Sequence, residues 1–295
     1  MSTERDGLTA QTRARALAVV LVGAALVGAV ARRLRTGAVE ERVRRLEAAA
    51  DRPRRTFDPD DVAGLPAPVR RYFETVLDEG QPYSRTVRLE QRGRFRLGDA
   101  DSPWKPLEAT QHVAVDPPGF VWDATIRLAP FVPVRVVDAY VGGEGSLRAA
   151  VLSVLTVADA EQSPELDAGE LQRYLAEAVW YPTALLPAEG VQWAAIDERS
   201  ARATLEHDDT TVSLVVHFDD DHLVERVVAE DRPRAVDDGF EPTRWTGRFW
   251  DYRERSGMLV PTVAEVEWNL PDGDLPYWRA KISRFEHRPA GRERR

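Results

Sequence analysis

The chain of 295 residues has no cysteine. That excludes disulfides, thiolate metal sites, a thiol nucleophile and lipid attachment through cysteine. It leaves either side of a membrane open as a location. Lysine is nearly absent too: Lys105 and Lys281 are the only two among 40 basic residues. Neither stands in a GxxxxGK[ST] sequence, so there is no phosphate-binding loop. The chain also lacks a GxSxG nucleophile elbow and an HExxH zinc motif. No internal repeat or low-complexity stretch is present.

The net charge of −9 conceals an asymmetry. Residues 1–50 hold nine Arg against five acids, whereas the remainder is strongly acidic. An acidic main domain argues against nucleic acid as a partner. The basic residues flank an uncharged apolar run of 16 residues, Ala16–Ala31. At ~1.5 Å per residue a helix there is ~24 Å long, short of a ~30 Å hydrocarbon core. Snorkelling by Arg15 and Arg32 extends the usable helix, so a spanning anchor is expected over residues 16–34. A cleaved signal ending at Ala29-Val30-Ala31 is the rival reading, opposed by Glu4 and Asp6 before the run and Arg32-Arg33 after it. More arginines follow the run than precede it, and this slight excess directs the soluble part to the cytoplasm. The expected layout is therefore an N-terminal tail (1–15), a single-pass transmembrane anchor (16–34), a charged helix and linker (35–61), one β-rich domain (62–288) and a disordered tail (289–295).

Beyond the anchor, interleaved Glu and Arg predict a charged helix over Val39–Ala50. Asp51–Asp61 reads as a Pro- and Asp-rich linker. Pro68 suits a first helical turn, with Leu65, Val69, Tyr72, Phe73, Val76 and Leu77 on one apolar face. From Val87 the period becomes two: Val87, Leu89, Gln91, Gly93 and Phe95 alternate with Arg88, Glu90, Arg92, Arg94 and Arg96, a half-buried strand with a solvated outer face. Strands follow at Leu107–Val115, Phe120–Leu128, Val132–Val141 and Leu147–Val157, the last apolar on both faces and so expected to be covered on both. Asp167 and Glu170 make a capping box for a helix whose buried stripe is Leu171, Tyr174, Leu175, Ala178 and Val179. Seven further strand patterns run to Phe285. Many strands and few helices predict a mainly β fold: a single antiparallel, curved, half-barrel-like sheet packed on helices.

Segments Leu65–Tyr72, Glu170–Pro187 and Tyr277-Trp278-Arg279 resemble a family of uncharacterised bacterial proteins, a domain of unknown function usually preceded by an N-terminal hydrophobic segment. The resemblance covers most of residues 57–287 and implies no activity. In strand order the chain is also similar to the half-barrel lipoprotein-localisation factors, which implies a sheet curving around an apolar cavity. It lacks the lipidated cysteine of the related lipoproteins.

Candidate chemistry is sparse. His217 and His222 flank Asp219, Asp220 and Asp221, which read as a solvated tight turn rather than a metal site. His112 reads as structural. Glu265 and Glu267 share a strand face and are expected to point outward. No catalytic residue, metal or cofactor is assigned. The aromatic set is the most suggestive: Trp122, Trp180, Tyr181, Trp250 and Trp268 are candidates for the wall of an apolar pocket, or for the core itself. The expected function is a membrane-tethered, non-enzymatic protein whose partners are membrane lipid and an apolar small molecule held in a half-barrel. A hydrolase using carboxylates at the sheet mouth, and a purely structural module, stay open as alternatives.

Overall fold

The computed structural model describes residues 33, 36–50, 55–130, 132–152, 155–160, 162–237 and 239–289. The anchor of residues 16–34 lies outside them, except for Arg33. No helix among the described residues is long and apolar enough to cross a membrane.

Helix α1 spans residues 36–49 and α2 spans Ala67–Val76. Six strands follow: β1 (Ser84–Phe95), β2 (Lys105–Ala114), β3 (Gly119–Ala129), β4 (Val132–Val141), β5 (Glu144–Val151) and β6 (Leu155–Asp159). Helix α3 (Pro164–Glu177) and three short 3-10 turns lead to the second set. This set is β7 (Gln192–Ala195), β8 (Ser200–His207), β9 (Thr210–Phe218), β10 (Val224–Val236), β11 (Gly239–Arg255), β12 (Met258–Leu270) and β13 (Gly273–Pro289). All thirteen form one antiparallel sheet, in the order β6-β5-β4-β3-β2-β1-β13-β12-β11-β10-β9-β8-β7. The two halves of the chain thus meet at β1 and β13, and the sheet curls into a half-barrel around α3.

Alternation decides the two faces. In β1, Val87, Leu89 and Gln91 are buried on the concave side, while Arg92 and Arg94 are exposed on the convex side. The expected strand Leu147–Val157 is instead two strands, β5 and β6, separated by a turn at Leu152, whose φ is 52°. Strand β6 is exposed throughout, because it is the edge of the sheet and no helix among the described residues covers it. Helix α3 also starts earlier than expected. Ser163 caps it by accepting from the Leu166 N–H, and Pro164 takes the first turn. Asp167 does not cap; its Oδ1 accepts the backbone N–H of Gly145 at 2.6 Å. Gly145 must be glycine there, since a Cβ would stand 2.8 Å from the Leu166 carbonyl oxygen.

The half-barrel has two unlike ends. At the floor, α2 and the 3-10 turns plug it. Tyr72 packs on Phe73 and Phe218, and Phe73 meets Trp193 edge-on. The Tyr174 hydroxyl donates to the Val115 carbonyl and the Tyr181 hydroxyl to the Tyr174 carbonyl. The far strands are drawn together by a 2.8 Å hydrogen bond between the Tyr140 hydroxyl and His207 Nδ1. At the opposite end, the mouth, the β1–β2, β3–β4, β5–β6, β10–β11 and β12–β13 hairpins form a rim. Helix α1 lies on the convex face. Leu46 and Ala50 pack on Ala114, Val121 and Ala139 of β2, β3 and β4, with Val39 and Val43 alongside.

Candidate functional site

The concave face toward the mouth carries half-buried apolar side chains that the core leaves uncovered: Phe95, Leu128, Val136, Trp268 and Tyr277. Trp268 stacks on Tyr277 with ring centroids 6.0 Å apart, and Phe95 meets Tyr277 edge-on at 5.8 Å. The register shift at Val266/Glu267, which pairs Val266 with Trp278 but Glu267 with Pro276, swings Tyr277 onto this face. Its hydroxyl accepts from Trp245 Nε1 at 2.9 Å.

Behind this wall lies a buried charged cluster. Arg173 of α3 bonds Asp138 of β4 at 2.5 Å and Glu177 at 2.8 Å, with Glu170 at 4.0 Å. Its guanidinium lies over the rings of Phe120 and Trp122. The cluster runs on as a relay: Gln111 donates to Glu177, Gln91 to Gln111, and Trp122 Nε1 to Gln91 Oε1 at 2.8 Å. From the other arm, buried Arg232 lies over Trp245 at 5.1 Å. The break in the β10–β11 register between Ala229 and Arg232 turns it inward.

Burial works against so many charges. Desolvation, and then the nearby Asp138 charge, push the Glu170 carboxyl up to about 8. Desolvation also raises Asp138, although Arg173 and Arg232 pull it back. Burial opposes the charge of Arg173, but Glu177, Asp138 and Glu170 outweigh it and keep the guanidinium protonated. The proton on Glu170 lowers the negative charge held beside Arg173. It also lets the Glu170 carboxyl donate to Asp138, whereas Arg232 Nη1 is buried with no hydrogen-bond partner among the described residues.

The candidate aromatics fall in different places. Trp122 lines the concave face beside Arg173. Trp180 and Tyr181 lie deepest, Trp180 against Phe249 and Trp278. Trp268 is part of the mouth wall. Trp250 is 41% exposed on the convex face, because it follows inward-facing Phe249 on β11 and strand neighbours alternate sides. Glu265 and Glu267 are also convex, paired with Arg279 and Arg248. His112 stands 3.8 Å from Glu47 of α1, and burial lowers its pKa. No group of His, Asp and Glu suited to a metal occurs among the described residues.

Residue reasoning missed Asp138, Glu170, Arg173, Glu177 and Arg232 as a site. One signal was available: Gln91 and Gln111 sit on otherwise apolar strand faces, and a buried amide needs partners.

Two cavities stand out, and both are on the convex face. One of about 540 Å³ beside the start of α1 is polar, lined by residues such as Thr36, Glu90, Asp123, Arg135 and Leu152. The other, of about 300 Å³, lies between α1 and β5.

The molecule is therefore an antiparallel half-barrel wrapped on one helix, plugged at one end, with an aromatic mouth backed by buried ion pairs at the other. Residues 63–287 match the family described as a family of unknown function (DUF6920), and the chain belongs to that family. Among solved structures, a LolA superfamily protein from Nitrosomonas europaea is 12% identical. That match covers 76% of this chain and 94% of the other, with a TM-score of 0.34. A beta-barrel-like protein of the DUF1849 domain from Brucella abortus is 9% identical over 70% of this chain and 99% of its own, with a TM-score of 0.23. At those scores neither likeness speaks to ligand or activity. No curated protein matches the chain.

Proposed function

We propose that this protein is a membrane-tethered half-barrel that holds an amphipathic, lipid-like molecule at its mouth. The apolar part of the ligand lies on Phe95, Leu128, Val136, Trp268 and Tyr277, and its polar group reaches Arg232 and the proton-bearing Glu170. The supporting observation is the juxtaposition of a partly exposed aromatic wall with buried charges, among them the unpaired Arg232 Nη1. Aromatic and aliphatic side chains supply most of the contact area in small-molecule sites, while a few convergent polar groups fix orientation. The tether is the apolar run Ala16–Ala31, and the arginines after it favour a cytoplasmic half-barrel.

Native mass spectrometry of the full chain, extracted gently from its host membrane, tests this reading. The expected result is a co-purifying lipid whose occupancy falls in Arg232→Gln and Trp268→Ala without loss of fold. A ligand-free mass in both wild type and variants overturns it.

The protonated carboxyl of Glu170 favours a second reading, proton transfer to a bound substrate. A carboxylic acid that titrates near neutrality can act as general acid or base. Turnover of a co-purified lipid that stops in Glu170→Gln would mark the protein as an enzyme.

A further inference from the structure

Six of the large exposed hydrophobic side chains, Leu97, Leu152, Leu155, Val157, Val236 and Phe240, belong to the β1–β2, β5–β6 and β10–β11 hairpins. All three hairpins turn at the mouth rim. At the floor end, Ile196 in the β7–β8 turn is the one such side chain among the described residues. Exposed apolar side chains gathered on one edge are a common mark of a contact surface.

The chain itself says what that surface meets. Helix α1 runs along the convex face from rim to floor. Thr36 at its start shares a cavity with Pro133 and Leu152 of the rim, and Arg135 Nη1 donates to Thr36 Oγ1 at 3.3 Å. Glu47 near its end accepts from Arg85 at the floor, at 3.0 Å. The apolar run ends at Ala31, five residues before Thr36. Even a fully extended chain covers at most ~17 Å in five residues. An anchor at Ala16–Ala31 therefore holds the β3–β4 and β5–β6 hairpins close to the bilayer. The packing of α1 on β2, β3 and β4 fixes that helix against the convex face.

We infer that the mouth rim docks on the surface of the bilayer that holds the anchor, with Leu97, Leu152 and Leu155 entering the interface. The half-barrel thus opens toward lipid, and its ligand is drawn from the membrane rather than from water. At the rim, Asp99 and Asp101 of the β1–β2 hairpin and Asp272 and Asp274 of the β12–β13 hairpin offset basic side chains such as Arg94 and Arg127, so the rim is not a basic surface. The docking rests on apolar contact, suited to a zwitterionic surface. This inference depends on the tethered reading above.

The absence of cysteine makes a direct test clean, since a thiol-reactive label goes only where a cysteine is introduced. Full-length Leu155→Cys, Leu97→Cys and Ile196→Cys, each labelled with an environment-sensitive fluorophore, are reconstituted into phosphatidylcholine vesicles containing a nitroxide-labelled phospholipid. Strong loss of emission at positions 155 and 97, with little at 196, is expected. Equal, weak quenching at all three in protein that floats with the vesicles overturns the docking and leaves the tether standing. Protein that does not float with the vesicles overturns the tether, and the docking with it.

Discussion

The floor and the mouth of this half-barrel are built from the same kinds of side chain, yet they differ in what those side chains touch. At the floor, Tyr72, Phe73, Phe218 and Trp193 pack ring against ring, and the buried hydroxyls of Tyr174 and Tyr181 find backbone carbonyls. At the mouth, Trp268, Tyr277 and Phe95 stack among themselves but keep one side open, and the charges behind them stay partly unpaired. Close packing stabilises, and a buried polar atom without a partner costs stability; the floor carries such atoms too, in the Tyr72 hydroxyl and Trp180 Nε1, so the mouth differs by its exposed rings and its buried charges. The floor is packed as a core, and on the proposed reading the mouth is the binding site.

Substitutions can break that contrast. The largest effects belong to the buried groups. Trp180→Ala, which empties the contact with Phe249 and Trp278, is expected to destabilise by ~3–5 kcal/mol, and Leu175→Ala by ~2–5 kcal/mol. Both are read from the denaturant midpoint, and an unchanged midpoint would show that α3 does not fill the barrel. Asp138→Ala removes one partner of Arg173 and should cost about 3–5 kcal/mol, whereas replacing both by apolar residues should cost far less. Equal losses in the two variants would mean that the cluster is held by packing alone.

The pH dependence of stability sharpens the comparison. The folded state holds the Glu170 proton up to about pH 8, while an unfolded carboxyl releases it near 4.5. Between those values Glu170 binds its proton in the folded chain and not in the unfolded one, so its contribution to stability is full below 4.5 and is lost as pH rises toward 8. The slope is at most about 1.4 kcal/mol per pH unit for one proton. Glu170→Gln should flatten that decline; a profile unchanged by the substitution would show that Glu170 ionises normally. At the mouth, Trp268→Ala should cost less than Trp180→Ala, about 1–3 kcal/mol, because its ring is partly exposed, yet it should reduce lipid occupancy more than any floor variant. The smallest change is expected from Leu155→Ser, within about 0.5 kcal/mol in solution.

Much of this architecture can be read from the residues. The alternation of β1, the apolar face of α2 and the convex side of Glu265 and Glu267 follow from local periodicity, although Glu267 is buried there against Arg248. The family resemblance placed on Leu65–Tyr72 and Tyr277-Trp278-Arg279 agrees with the match over residues 63–287. The charged cluster was illegible for a physical reason. Glu170, Arg173 and Glu177 have the spacing of a solvated i,i+3/i+4 ladder, and only wrapping by the sheet buries them. Arg232 follows Glu230 and Asp231 in what reads as an outer face; the break in strand register that turns it inward depends on pairing with β11. The sheet edge at β6 was misread because Leu155 and Val157 look like core residues when their neighbours are unknown.

The claim that the mouth is the site can be tested by carrying the full chain in vesicles that contain a phospholipid with a photoreactive acyl chain. After irradiation, the adducts are mapped by peptide mass spectrometry. The account predicts adducts on peptides carrying Phe95, Leu128, Trp268 and Tyr277, beyond those on the anchor, and their loss when excess unlabelled lipid competes. Adducts confined to the anchor, with the mouth peptides unmodified in protein that is folded and vesicle-bound, would contradict it.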